Sequence, residues 1–214
     1  MANVITVEEA RYMIGQSSGF ADVEIARELA RADAVLALRC GFGRDDAATP
    51  APPTFASQSY TFLLNGDAIV SDDGRTLQLP VWPVTSVTSI QDDPTEAFNG
   101  TSYLVASTDY TLARPARGQV LLKQTATHGV WYDTDQRTKK VVFIAGWTDA
   151  TMPEDIKRAI TLQVATWFNA RTMAGVQGAS LGSHASASPT TTAQDVSPEA
   201  LRILAPRRCW RTLT

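Results

Sequence analysis

The sequence predicts an α+β chain, a helical core carrying an inserted antiparallel β-rich module. Three observations predict it. Apolar residues recur at helical spacing near both ends, runs of β-branched and aromatic residues separated by turn dipeptides fill the middle, and a proline-rich connector at residues 49–54 divides the first pattern from the second. The organisation this implies is an N-terminal helical part over residues 1–48, a β-rich module over 55–147, a long helix over 151–173 that completes the helical core, a flexible linker over 174–196, and a C-terminal docking arm over 197–214.

Each element has its own signals. Thr6 is placed to cap a short helix over residues 7–14, with Glu8 and Glu9 in the first turn, where the helix dipole favours acids. After a loop at 15–19, Val23, Ala26, Leu29 or Ala30, and Val35 keep helical spacing over residues 22–38, and Gly41 and Gly43 end that helix. The β-rich part opens with residues 60–64, which run into Asn65-Gly66, the dipeptide best suited to a tight hairpin. Asp73-Gly74 precedes a strand at 76–79. Residues 84–90 are rich in β-branched side chains, with Val84, Ser86, Thr88 and Ile90 expected on one face and Thr85, Val87 and Ser89 on the other. Strands at 103–105, 109–112, 119–122 and 140–144 complete the series, and because no crossover helices intervene they are expected to pair antiparallel. Pro153, Glu154 and Asp155 then open the long helix, whose apolar stripe is Ile156, Ile160, Val164 and Trp167 or Phe168. The stretch 175–193, biased toward Gly, Ser, Ala and Thr, reads as a mobile linker. Finally, Ser197 is an N-cap, Pro198 the first helical residue and Pro206 the stop of a short helix. Beyond Glu199 the tail carries Arg202, Arg207, Arg208 and Arg211 and no acid, and so basic a terminus has few ways to bury itself on its own body.

Composition narrows the function classes. With 214 residues, 44% hydrophobic and 19% charged, the chain is long and apolar enough for one globular domain or one with an inserted module. A net charge of -3 argues against a chain-wide electrostatic grip on nucleic acid, so any basic surface is local. Cys40 and Cys209 lie far apart in sequence with no second thiol near either, and read as reduced thiols instead of a disulfide framework or a zinc site. The first residues lack a basic stretch followed by an apolar one, and no apolar run approaches the ~20 residues of a membrane span, so the expectation is a chain made and kept in solution.

Raw material for catalysis is thin. His128 sits beside a glycine in the β-rich part and His184 lies in the Ser-rich linker, and both read as solvated loop residues. Asp133-Thr134-Asp135 opens like a calcium loop, but Arg137 occupies the next ligand position and no distal glutamate follows. Gly41-Phe42-Gly43 follows a helix and lacks a third glycine, which excludes a dinucleotide fingerprint. Asp72-Asp73 and Asp92-Asp93 fall in expected turns, where aspartate is favoured for its bonds to nearby backbone amides. Trp82 and Trp131 suit either a ligand platform or a core, while Trp147, Trp167 and Phe168 read as core. The sequence therefore predicts no enzyme, no cofactor and no metal.

Five landmarks remain: Leu79-Pro80 followed by Pro83-Val84 and Val87; Asp109-Tyr110 with Leu112; Val141-Val142 leading to Ala145-Gly146; Pro153 with Ile156; and a terminal Leu204, Pro206 and Arg208. In this order and spacing, over residues 79–208, they resemble the head-tail connector (adaptor) family of tailed bacteriophages. Trp147 stands where the family often has tyrosine, and Arg207 where it commonly has an aromatic, which moves the expected contact from packing toward charge. The resemblance implies a structural virion protein at the head-tail interface, made in the host cytoplasm and assembled into a dodecameric ring. It implies a C-terminal segment that binds the portal, a stopper or tail-completion protein below, DNA passing through the lumen without sequence-specific contacts, no membrane and no catalysis. The portal-docking residues expected on that basis are Leu201, Leu204, Pro206, Arg207, Arg208 and Trp210. The rival is a carbohydrate- or ligand-binding β-module of a phage tail or accessory protein, which requires Trp82, Trp131 and Tyr132 to be exposed and clustered.

Overall fold

The computed structural model describes residues 5–14, 21–43, 45–65, 70–71, 73–98, 101, 103–131, 137–173 and 196–209. Among them the chain divides into two compact units, the first built from residues 1–36 and 152–207, the second from 37–151 and 208–214. No helix among the described residues is long and apolar enough to cross a membrane.

The first unit is helical. It contains α1 (Val7–Ile14), most of α2 (Asp22–Arg39), α3 (Glu154–Met173) and α4 (Pro198–Leu204). Its core joins Ile25, Leu29, Ala32 and Leu36 of α2 with Ile156, Ile160, Val164 and Phe168 of α3, all at most 3% exposed and spaced three or four apart, as one helix face requires, and with Ala159 beside Ile160. Thr6 caps α1 as expected, its hydroxyl accepting the Glu9 amide at 3.1 Å. Arg11 and Asp22 tie α1 to α2 at 2.6 Å, and Lys157 ties α3 to Glu9 at 3.2 Å. Arg31 lies 4.4 Å above the Trp167 ring, so this tryptophan, half-buried at the rim, stacks under a cation while Phe168 takes the interior position.

The second unit holds two three-stranded antiparallel sheets, β1-β6-β3 and β2-β5-β4, made of β1 (Gln58–Leu64), β2 (Thr76–Gln78), β3 (Val84–Asp92), β4 (Tyr110–Arg114), β5 (Gln119–Leu122) and β6 (Lys139–Ala145). The strand positions follow the sequence signals, but the pairing corrects two expectations. β1 does not form a hairpin with the next strand, because it pairs with β6, from Gln58↔Ala145 to Leu64↔Lys139, and Gly66 of the expected turn lies outside the described residues. Nor does β3 alternate simply: two register irregularities against β6, at Val84/Ser86 and Val87/Ser89, leave both Thr85 and Ser86 exposed and interrupt the two expected faces. Residues 103–105 contribute only a single bridge, Leu104 to Gln91.

Aromatic side chains fill this unit. Tyr60, Phe62 and Phe143 stack across β1 and β6 with ring centroids about 6 Å apart, and Phe42, Phe55 and Trp147 form a second cluster at 5.2–6.2 Å. The outer edge of β1 is closed by acids: Thr61 and Leu63 donate their amides to the carboxylates of Asp45 and Asp46 at 3.0 and 2.9 Å, so neither amide is offered to a further strand.

Candidate functional site

Residues 197–207 are held by their own body, which corrects the expectation of a segment with few ways to bury itself. Ser197 has extended backbone angles and accepts the Ala200 amide, Pro198 occupies the first turn, and the Ser197 amide donates to the Gln163 side chain of α3 at 2.7 Å. Gln163 is itself fully buried, so this bond fixes the start of α4 inside the helical unit. Ala200 and Leu204, four residues apart on one helix face, are both 0% exposed. The outer face keeps a forked Glu199 to Arg202 pair at 2.8 and 2.9 Å. Pro206 does not stop the chain at once; a turn of 3-10 helix, Ala205–Arg207, continues from α4.

The six expected docking residues therefore divide. Leu204 lies in the core of the first unit, and Arg207 forks onto Asp155 of α3 at 2.9 and 3.2 Å. Leu201 is half-buried, Pro206 and Arg208 are exposed, and Trp210 lies outside the described residues. In the second unit, the Cys209 amide donates to the Cys40 carbonyl at 2.8 Å. Arg208 and Arg39, each one residue from that bond, are exposed and form no ion pair among the described residues. Sequence reasoning missed Arg39, which reads as the unremarkable last residue of a helix. Only the fold brings it to the chain terminus.

The remaining candidates resolve as structure. His128 is no solvated loop residue: its Nε2 lies 2.8 Å from Asp92 Oδ2, its ring 5.4 Å from that of Trp131. Lys139 Nζ lies 3.3 Å from Asp92 Oδ1, and both of these side chains are 0% exposed. Asp92 and Lys139 are also register partners at the ends of β3 and β6, so the buried charges close one end of the first sheet. The His128–Asp92 pair thus shares its carboxylate with the buried Lys139, and Asp92 is corrected from turn residue to core residue. Its neighbour Asp93 is a turn residue as expected, accepting the Thr95 hydroxyl and amide and the Phe98 amide at 2.7–2.8 Å. Burial pushes the Asp93 carboxyl up, yet those donors outweigh it and hold it below the usual range. Asp73 likewise accepts the Ser71 hydroxyl and the Arg75 amide. Trp131 is 1% exposed with its indole N–H on the Arg75 carbonyl, which counts against the ligand-platform rival. Tyr132, Asp133, Asp135 and His184 lie outside the described residues. Among the described residues no group of three or more His, Cys, Asp or Glu could hold a metal ion.

No protein-family model matches the chain, and no curated protein does. Solved structures do. A chain from the neck of a native GTA particle, computed with C12 symmetry, matches with a TM-score of 0.55 and 18% identity over 100% of this chain and 94% of that one. The whole chain has their fold. A chain from the neck of an empty GTA particle, computed with C6 symmetry, matches at 0.54 with 21% identity over 100% and 95%, and one from the virion of a native gene transfer agent particle at 0.51 with 19% identity over 98% and 92%.

Proposed function

We propose that this chain is a structural, non-catalytic virion protein of the neck: a head-tail adaptor whose copies close into a ring, dock on the portal, receive a stopper or tail-completion protein and leave a lumen for DNA. The observation that carries this reading is the end-to-end likeness to chains from the necks of GTA particles, computed with C12 and C6 symmetry. A cyclic ring needs each subunit to present two different complementary faces, and a chain of two compact units has two separate bodies from which to supply them. The ordered landmarks of the adaptor family support the finer assignment.

The docking residues proposed are Leu201 and Pro206, which the first unit leaves accessible, and, in the second, the exposed Arg208 and Arg39 together with Trp210 of the tail, each unit taken by itself. Two exposed arginines that form no ion pair among the described residues suit a carboxylate-bearing partner, which a planar guanidinium grips through two parallel hydrogen bonds. Leu204 and Arg207 serve indirectly, by fixing the helix that leads into the tail.

The test is truncation after Arg208 together with the charge reversal Arg208→Glu, each chain supplied to portal-bearing heads. The proposal expects both variants to keep the far-ultraviolet circular dichroism of the intact chain and to fail to co-sediment with heads. Normal co-sedimentation of both would refute C-terminal docking.

A further inference from the structure

The chain has two cysteines, 169 positions apart, and the fold sets them side by side. With the Cys209 nitrogen 2.8 Å from the Cys40 oxygen, and the bent Cα–C=O unit spanning about 2.4 Å, standard backbone dimensions hold the two Cα atoms no more than about 6.7 Å apart. That limit is inside the span a disulfide can bridge. The Cys209 Cβ also lies 3.3 Å from where a Cβ on Gly41, the residue after Cys40, would stand, and Gly41 itself has φ +94°. Cys40 is 2% exposed and Cys209 half-buried, with its thiol 3.7 Å from the Trp82 carbonyl.

We propose that Cys40 and Cys209 are an intramolecular disulfide site that fastens the C-terminal tail to the end of α2 when the chain meets a small-molecule disulfide. The more accessible Cys209 thiolate attacks one sulfur of the oxidant, forming a mixed disulfide and expelling one thiolate. Cys40 thiolate then attacks the Cys209 sulfur, expelling the second. Two protein thiols are oxidised to one disulfide, one oxidant molecule is reduced to two thiols, and the two protons end on those products. Burial raises both protein thiols, Cys40 to about 11 and Cys209 to about 12, with the neighbouring Cys40 charge adding to the second. The pair therefore persists reduced in a thiol-rich cytoplasm and closes slowly outside it, faster as pH rises.

The site is tested on the full chain with oxidised glutathione at pH 8, followed by intact mass and peptide mapping. The expected product has lost the mass of two hydrogens, carries one linked pair joining the peptides of Cys40 and Cys209, and melts about 5 °C or more higher until reduced. Cys40→Ser should stop at one glutathione on Cys209, and Cys209→Ser should leave Cys40 unmodified without denaturant. Covalent dimers, stable mixed disulfides on both cysteines, or no reaction of the folded chain under conditions where the denatured chain oxidises would each overturn the site. None of these outcomes depends on whether the chain docks on a portal.

Discussion

At the scale of single residues, the buried node of Asp92, His128 and Lys139 makes the sharpest energetic statement. Two fully buried opposite charges on register-paired positions are tolerated only because each answers the other. Lys139→Met should cost about 3–5 kcal/mol in urea unfolding, because it leaves a buried carboxylate without its cation. Adding Asp92→Leu to that variant should recover part of the loss, and a double-mutant cycle showing simple additivity would mean the pair is not coupled. Asp93 makes the corresponding statement in pH. Its folded carboxyl is depressed, so its contribution is fully present above the ordinary aspartate range near pH 4 and is lost as pH falls through the lower folded value. Asp93→Asn should therefore lower stability at pH 6 and have a smaller effect at pH 2.5, and equal effects at both would contradict the turn-capping role. The Asp93 role was legible in the sequence and the Asp92 role was not. Asp92-Asp93 looks like one acidic turn, and only the β3-β6 register separates a core ion from a turn residue.

At the scale of elements, the sequence landmarks turn out to be places where the backbone has little choice. Gly146 of the Ala-Gly landmark has φ +109°, and a Cβ there would stand 2.6 Å from the Ala56 carbonyl oxygen. Gly146→Ala should cost about 2 kcal/mol or more through strain and contact, measured as a fall in Tm. Leu79 is fully buried, and the carbonyl of Pro83 receives the Gly146 amide, so two distant landmarks meet in one bond. The helix positions were legible because caps and breakers are local: α1 and its Thr6 cap, and Pro153 ahead of α3, follow their signals to within a residue or two, whereas the stripe expected on α2 is corrected, since Ile25, Leu29, Ala32 and Leu36 are buried and Val23 is 82% exposed. What the sequence left closed was long-range: β1 pairs with β6, some 80 residues on, and α4 is held against α3, where a glutamine accepts the amide of its N-cap Ser197. Leu204→Ala tests that last point. It should destabilise the helical unit by about 2–5 kcal/mol, whereas the half-exposed Arg207–Asp155 pair should contribute about 1 kcal/mol or less when either partner is removed.

At the scale of the whole molecule, the fold places the C-terminal tail under more control than a free arm would have. The last described residues cross from the helical unit, where Leu204 and Arg207 are engaged, to the second unit, where Cys209 bonds to Cys40. Basic charge with no acid to match it was the signal that first marked this end of the chain, and it survives in Arg208, with Arg39 as a companion that sequence alone hides. The proposed ring and its docked terminus make one claim about position, and cryo-electron microscopy of particles assembled with this chain tests it most directly. Symmetry-averaged density at the head-tail junction should show a closed ring of this fold with residues 208–214 directed into the portal. Density for the chain on a tail fibre or at the tail tip, or a ring whose C-termini point away from the head, would contradict it.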